Sequence, residues 1–207
     1  MPLFEKNGRR IVFIHIPKAA GSSVEALFKE QGWSLGFYQR IKDRDAIAHQ
    51  HYTYSDLKSH IPDIDDLCSF AIVRDPFDRI ISEWVYQSER MRTSDLEFND
   101  FVRHVDCSLK LDRTYWDNHW RPQTDFIDEK MNLVIKMEKM NEVLLPFLND
   151  NEIIVNPMMP HTNRRKKRKR SAGRVLSVNA ESRDRILRIY ARDYDELGYS
   201  PFVTVTE

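Results

Sequence analysis

The sequence predicts an α/β fold, a central parallel sheet flanked by helices, and three observations predict it. Short apolar runs suited to buried strands alternate with amphipathic stretches of helical period. Strand candidates are followed closely by helix candidates, the arrangement that joins parallel strands. At 207 residues, with 41% apolar and 31% charged side chains, the chain has the size and balance of one globular domain with a substantial core.

Residues 11–16 form the first apolar run, as expected for a strand covered on both faces. Residues 24–31 then suit a helix, with Val24, Leu27 and Phe28 at i, i+3, i+4 and Gly32 placed to end it. Residues 69–73 are the second strand candidate. Asp75 can cap the following helix, and Pro76 can take its first position. That helix is expected to reach about Met91, with Ile80, Ile81, Trp84 and Val85 as its apolar stripe. Ser94-Asp95-Leu96-Glu97 reads as a capping box ahead of Phe98, Phe101, Val102 and Val105. Residues 132–137 suggest a third strand, 138–148 a helix and 153–155 a fourth strand. A last helix is expected over residues 180–197, with Ile186, Leu187, Tyr190, Tyr194 and Leu197 inward and Gly198 stopping it. No repeat and no Gly/Ser linker divides the chain, so residues 1–207 read as a single domain.

Composition narrows the function classes. No run of 18 apolar residues exists, and residues 1–6 lack a signal-peptide core, so no transmembrane segment and a soluble, cytoplasmic protein are expected. Two cysteines, Cys68 and Cys107, make no disulfide framework and have no metal-site spacing. The net charge is zero but unevenly spread: residues 164–170 are seven consecutive cations, and the remainder carries 25 basic against 32 acidic side chains. Such a strip faces a polyanion or is a solvated loop. It has no interleaved aromatic residues for base stacking, so no nucleic acid partner is expected.

The chemistry begins at Pro17-Lys18-Ala19-Ala20-Gly21-Ser22-Ser23. A strand that feeds a helix through this turn aims backbone N–H groups, the positive helix end and Lys18 at one point, which suits a phosphate or sulfate. The turn is not a Walker A loop, because Lys18 precedes Gly21 instead of following it. A second signal is Val73-Arg74-Asp75-Pro76-Phe77-Asp78-Arg79-Ile80-Ile81-Ser82. Arg74 ends a strand and Ser82 lies two turns into the next helix, an Arg fork plus a hydroxyl suited to a phosphate monoester. The plainer reading has Arg74 and Arg79 pairing only with Asp75 and Asp78.

These two segments resemble the 5′-phosphosulfate loop and the 3′-phosphate segment (V-R-D-P-x-x-R-x-x-S) of sulfotransferases that use 3′-phosphoadenosine 5′-phosphosulfate (PAPS). Asn118-His119-Trp120-Arg121-Pro122-Gln123 resembles the H-W-x-P-Q segment of the carbohydrate sulfotransferases. Residues 189–199 resemble their closing Y-x-x-D-Y-x-x-F-G-Y helix, with Leu197 where Phe is usual. The resemblance runs in order from about residue 11 to 200 and is to the chondroitin and heparan type. It implies a three-layer P-loop-like fold and transfer of a sulfuryl group from PAPS to an acceptor hydroxyl, expected on a carbohydrate. On it, residues 17–23 hold the 5′-phosphosulfate, with Lys18 also catalytic, and Arg74 and Ser82 hold the 3′-phosphate. His49, His119, Trp120 and Gln123 fall on the acceptor side.

The transfer needs a base, and a histidine's ordinary pKa near 6.5 fits proton transfer at neutral pH. His51 is the candidate: it stands five residues before Asp56 and six before Leu57, the register of the proposed heparan sulfotransferase base. His49 and His119 are the alternatives. The His49-x-His51 pair lacks a motif for a third ligand, and the resembled family needs no metal, so none is expected. Arg170, ahead of Ser171-Ala172-Gly173, loosely matches an R-K-G element and is assigned to the nucleotide by resemblance alone; the run at 164–170 is open between PAPS, an anionic acceptor and solvent. Two other functions compete: a P-loop-type nucleotide kinase, and a non-catalytic polyanion binder on a sulfotransferase frame.

Overall fold

The computed structural model describes residues 2–37, 47–91, 94–153 and 177–201. Strands β1 (Leu3–Lys6), β2 (Arg9–Ile14), β3 (Ser34–Gly36), β4 (Cys68–Val73) and β5 (Leu133–Lys136) form one sheet in the order β3-β1-β2-β4-β5. β2, β4 and β5 pair in parallel, with Phe13 opposite Phe70 and Ala71 opposite Val134. β1 runs antiparallel to both β2 and β3. The sheet is therefore mixed at one edge, where the sequence reading had only parallel strands. The cause is local: Asn7 and Gly8 take φ of 50° and 77°, the left-handed pair that closes a tight hairpin between β1 and β2. The expected fourth strand at 153–155 is not seen at Ile153, which ends the turn after a helix, and residues 154–155 lie outside the described residues.

Helices α1 (Gly21–Glu30), α2 (Tyr54–Lys58), α3 (Pro76–Val85), α4 (Phe98–Leu111), α5 (Met140–Asp150), α6 (Ala180–Ile189) and α7 (Ala191–Glu196) cover the sheet and build out beyond it. α3 starts as its sequence suggests: Asp75 accepts a hydrogen bond from the Asp78 amide at 3.0 Å and Pro76 opens the helix. It then widens into a π-helical turn over Tyr86–Met91. The capping box at Ser94 does not form. α4 begins after Glu97, which lends no side-chain cap, and Ser94 accepts only from the Leu96 amide. A capping box does form at α2, where Thr53 and Asp56 exchange bonds of 3.1 and 2.9 Å, so Asp56 is occupied in holding a helix start. The single expected C-terminal helix is two, because Tyr190 leaves helical geometry at φ −109°, ψ 24°. Among the described residues no helix is long and apolar enough to cross a membrane.

Two apolar cores result. One surrounds the sheet, where Phe4 stacks on Phe28 at 3.9 Å and Phe13 meets Phe70 at 5.0 Å. The other lies between α3, α4 and α6 and buries Ile80, Phe101, Val105, Trp120, Ile186 and Tyr190. Arg79 spans the seam from α3, almost wholly buried. Its Nε donates to the Pro17 carbonyl at 3.0 Å, and its terminal nitrogens donate to the His119 and Arg121 carbonyls at 3.0 and 2.9 Å. It pairs with neither Asp75 nor Asp78, contrary to the plainer reading of that segment. A buried guanidinium that donates to a carbonyl from each of its three nitrogens positions backbone, and here it fixes the Lys18 turn against the 119–121 segment.

Candidate active site

The site lies at the carboxyl ends of the neighbouring parallel strands β2 and β4, the edge where open α/β sheets take ligands. From β2 the chain passes His15 and Pro17 into a sharp turn in which Lys18 and Ala20 both adopt left-handed backbone, φ 68° and 63°. α1 follows with no side-chain cap, so its first amides face outward into the turn. Gly21 is required by a close approach: a Cβ there would sit 2.1 Å from His15 Nε2. His15 is held in turn by Glu25 of α1 at 3.0 Å from Nδ1. Burial pushes the His15 imidazole down; Glu25, against the effect of its own burial, is drawn down to about 2 by that hydrogen bond and nearby positive charge. The Lys18 ammonium stands 3.8 Å over the Tyr86 ring, on the π-helical turn. Ser22 is exposed and Ser23 partly buried at the head of α1.

At the end of β4, Arg74 is largely buried, and its Nε has no hydrogen-bond partner. Its terminal nitrogen lies 3.6 Å from Asp78, one turn along α3, and Ser82 follows on the same helix face. Gln123 grips the Arg74 backbone from the other side, accepting from its amide at 2.9 Å and donating to its carbonyl at 2.8 Å. Asp193 of α7 then accepts from the Gln123 and Thr124 amides, each at 2.9 Å. Gln123 and Trp120, expected on the acceptor side, are thus buried: Gln123 frames the strand end, and Trp120 belongs to the second core, its carbonyl taken by Tyr190.

Three histidines face one another beside the Lys18 turn. His51 meets His15 edge-on at 5.4 Å between ring centres and His119 at 4.8 Å. Each has its Nδ1 on a carboxylate: His15 on Glu25, His51 on Asp117 at 2.7 Å and His119 on Glu83 at 3.0 Å. This fixes the rings and leaves Nε2 of His51 and His119 off the carboxylates, while His15 Nε2 packs against Gly21. Burial pushes His51 down to about 4, with His119 and His15 adding to the shift and Asp117 opposing it. The ring is therefore neutral at pH 7 and able to take a proton. Burial works against ionisation of Asp117 too, but its bonds to His51 and to the Ala48 amide hold it below the usual carboxylate range. Glu83, buried on α3, is likewise kept ionised by His119, Gln87 and Lys18. His49 is turned elsewhere and packs among Phe37, Tyr52 and His60. Arg170 and the run 164–170 lie outside the described residues.

A model of the sulfotransferase family matches residues 3–200. The chain belongs to the sulfotransferase family. No curated protein matches it. A sulfotransferase from Alicyclobacillus acidocaldarius, solved by crystallography, is similar at 13% identity and a TM-score of 0.44, over 90% of this chain and 83% of its own. In this sulfotransferase the residues that sequence reasoning missed are the carboxylates behind the histidines, Glu25, Asp117 and Glu83, and the strut Arg79. Glu25 lies within reach of a local reading, ten residues from His15. Asp117 is 66 residues from His51 and Glu83 is 36 from His119, separations that leave no pattern to read.

Proposed function

We propose that this sulfotransferase moves a sulfuryl group from PAPS to an acceptor hydroxyl, expected on a carbohydrate, with His51 as the base. The reading is carried by the placement of the Lys18 turn and Arg74 at the ends of adjacent parallel strands, with a carboxylate-held neutral histidine against His15 beside them. The acceptor oxygen bonds to sulfur as the bond from sulfur to the 5′-phosphate oxygen breaks, and the acceptor's proton passes to His51. Lys18 and the first amides of α1 take up the negative charge that grows on the departing phosphate. The unpartnered Arg74 Nε, with Ser82, suits the 3′-phosphate: a buried guanidinium N–H without an acceptor is costly alone and favourable once an anion arrives.

Calorimetry with adenosine 3′,5′-bisphosphate and with ATP plus Mg²⁺ tests this. Binding of the bisphosphate without metal, and none of ATP, is expected; the opposite pattern would make the chain a kinase-like protein, and no nucleotide binding would make it a polyanion binder. Arg74→Ala should weaken the 3′,5′-bisphosphate about 10- to 100-fold while leaving adenosine 5′-monophosphate, which has no 3′-phosphate, nearly unchanged. A labelled-PAPS screen over glycans, lipids and small hydroxyl compounds then identifies the acceptor.

A further inference from the structure

His51, Asp117 and His119 each present one ligand atom within 4.8 Å of the other two, the only such group of three among the described residues. The His49-x-His51 pair of the sequence does not contribute as a pair; the third and second ligands come instead from the 117–119 segment. Two imidazoles and one carboxylate leaving open positions suit a borderline divalent ion such as Zn²⁺, Co²⁺ or Ni²⁺, and not Mg²⁺ or Ca²⁺. Tetrahedral Zn²⁺ with bonds near 2.0–2.1 Å needs ligand atoms about 3.3 Å apart. The His51 Nδ1 to Asp117 Oδ2 edge, at 2.7 Å, must open slightly and the edges to His119 close, a change within side-chain reach. Glu83 on His119 Nδ1 is the outer carboxylate that metal-bound histidines commonly carry, and it leaves Nε2 to ligate.

We propose that the His51–Asp117–His119 triangle binds a divalent transition-metal ion of the Zn²⁺ class, and that the bound ion blocks sulfuryl transfer. The blocking half rests on His51 being the base. A neutral imidazole has one N–H and one lone pair. With Asp117 as co-ligand the ion sits on His51 Nδ1, in place of the hydrogen bond to Asp117, and the ring proton moves to Nε2. No lone pair is then left for the acceptor's proton, and the ring's proton count is unchanged.

The test titrates Co²⁺ into chelator-treated full-length protein and follows its visible absorption, then competes it with Zn²⁺ and with Mg²⁺. A saturable one-to-one band displaced by Zn²⁺ but not Mg²⁺ is expected. Affinity should fall at least about tenfold in His119→Gln and Asp117→Asn and stay as it was in His104→Gln, a histidine exposed on α4. No band, or an unchanged one in His119→Gln, overturns the site. Should both variants fail to fold, Co²⁺ broadening of the His51 and His119 ring signals in wild type decides, and unperturbed signals refute it. Zn²⁺ should abolish turnover at saturating PAPS, and a chelator should restore it. Ion binding without inhibition overturns the block and counts against His51 as base. Nucleotide calorimetry, done separately, shows whether the sulfotransferase reading itself has failed.

Discussion

Asp117 reaches His51 only because Trp116, Asp117 and Asn118 take left-handed backbone in succession, with φ of 58°, 55° and 61°. Asp and Asn tolerate that region and a Trp does not, at a cost of about 1–2 kcal/mol for such a residue. Asn118 offsets part of it by donating from its buried amide to the His51 carbonyl at 2.9 Å. The strained turn thus grips His51 by ring and by backbone. Because the Asp117 charge supports protonation of His51, Asp117→Asn should lower its pKa further and weaken it as a base. The expected result is a kcat reduced by tenfold or more, with the acid limb of the pH–kcat profile moved to lower pH and bisphosphate affinity unchanged. His51→Ala should cost about 10²–10⁴ in kcat, the usual range for a general base. An acid limb that stays in place in Asp117→Asn would assign the limb to another group.

At the scale of elements, the Lys18 turn is held by what lies under it as much as by its own residues. Gly21→Ala drives a methyl into His15, and overpacking of this kind costs about 1–3 kcal/mol and displaces the start of α1. Arg79→Met leaves the Pro17, His119 and Arg121 carbonyls without their donor. It should cost at least about 1–3 kcal/mol in urea unfolding, the range for a buried acceptor left unsatisfied. Arg79→Lys should recover little, since an ammonium cannot span three carbonyls in one plane. Stability of Arg79→Met near wild type would refute the strut. These elements also show what the chain makes legible. Asp75 and Pro76 announce α3, and the apolar runs announce β2 and β4, because those signals are local. β1 and β3, of four and three residues, are too short for a period to register, and Asn7-Gly8 was the one cue to their edge. The strand–turn–helix pattern with Lys18 points to an anion turn, and the order of Lys18 and Gly21 excludes a Walker A loop, but neither gives the reason for Gly21, which is a histidine six residues away in the sequence. Asp193 holding the Gln123 amide across 70 residues is equally invisible without the fold.

For the molecule as a whole, the buried histidines and their carboxylates divide acid unfolding into two stages. His51 is pushed down to about 4 and His15 is also lowered, whereas an unfolded histidine titrates near 6.5. Between those values the unfolded chain binds protons that the folded chain refuses, so falling pH favours unfolding. The contribution is complete above about pH 6.5 and lost as pH falls toward 4, on the order of 3 kcal/mol for His51. The second stage belongs to carboxylates held low in the fold. Glu25, at about 2, and Glu83, Asp106, Asp117 and Asp125 keep their contribution above their unfolded values near 4 and lose it below. Urea unfolding at pH 7.5, 6 and 5 should therefore show stability dropping well before the carboxylates held low in the fold titrate. His51→Gln, which keeps a polar group but cannot charge, should flatten that first slope whatever its effect on stability at pH 7.5. Equal slopes in the two proteins would mean that His51 is not held neutral by burial.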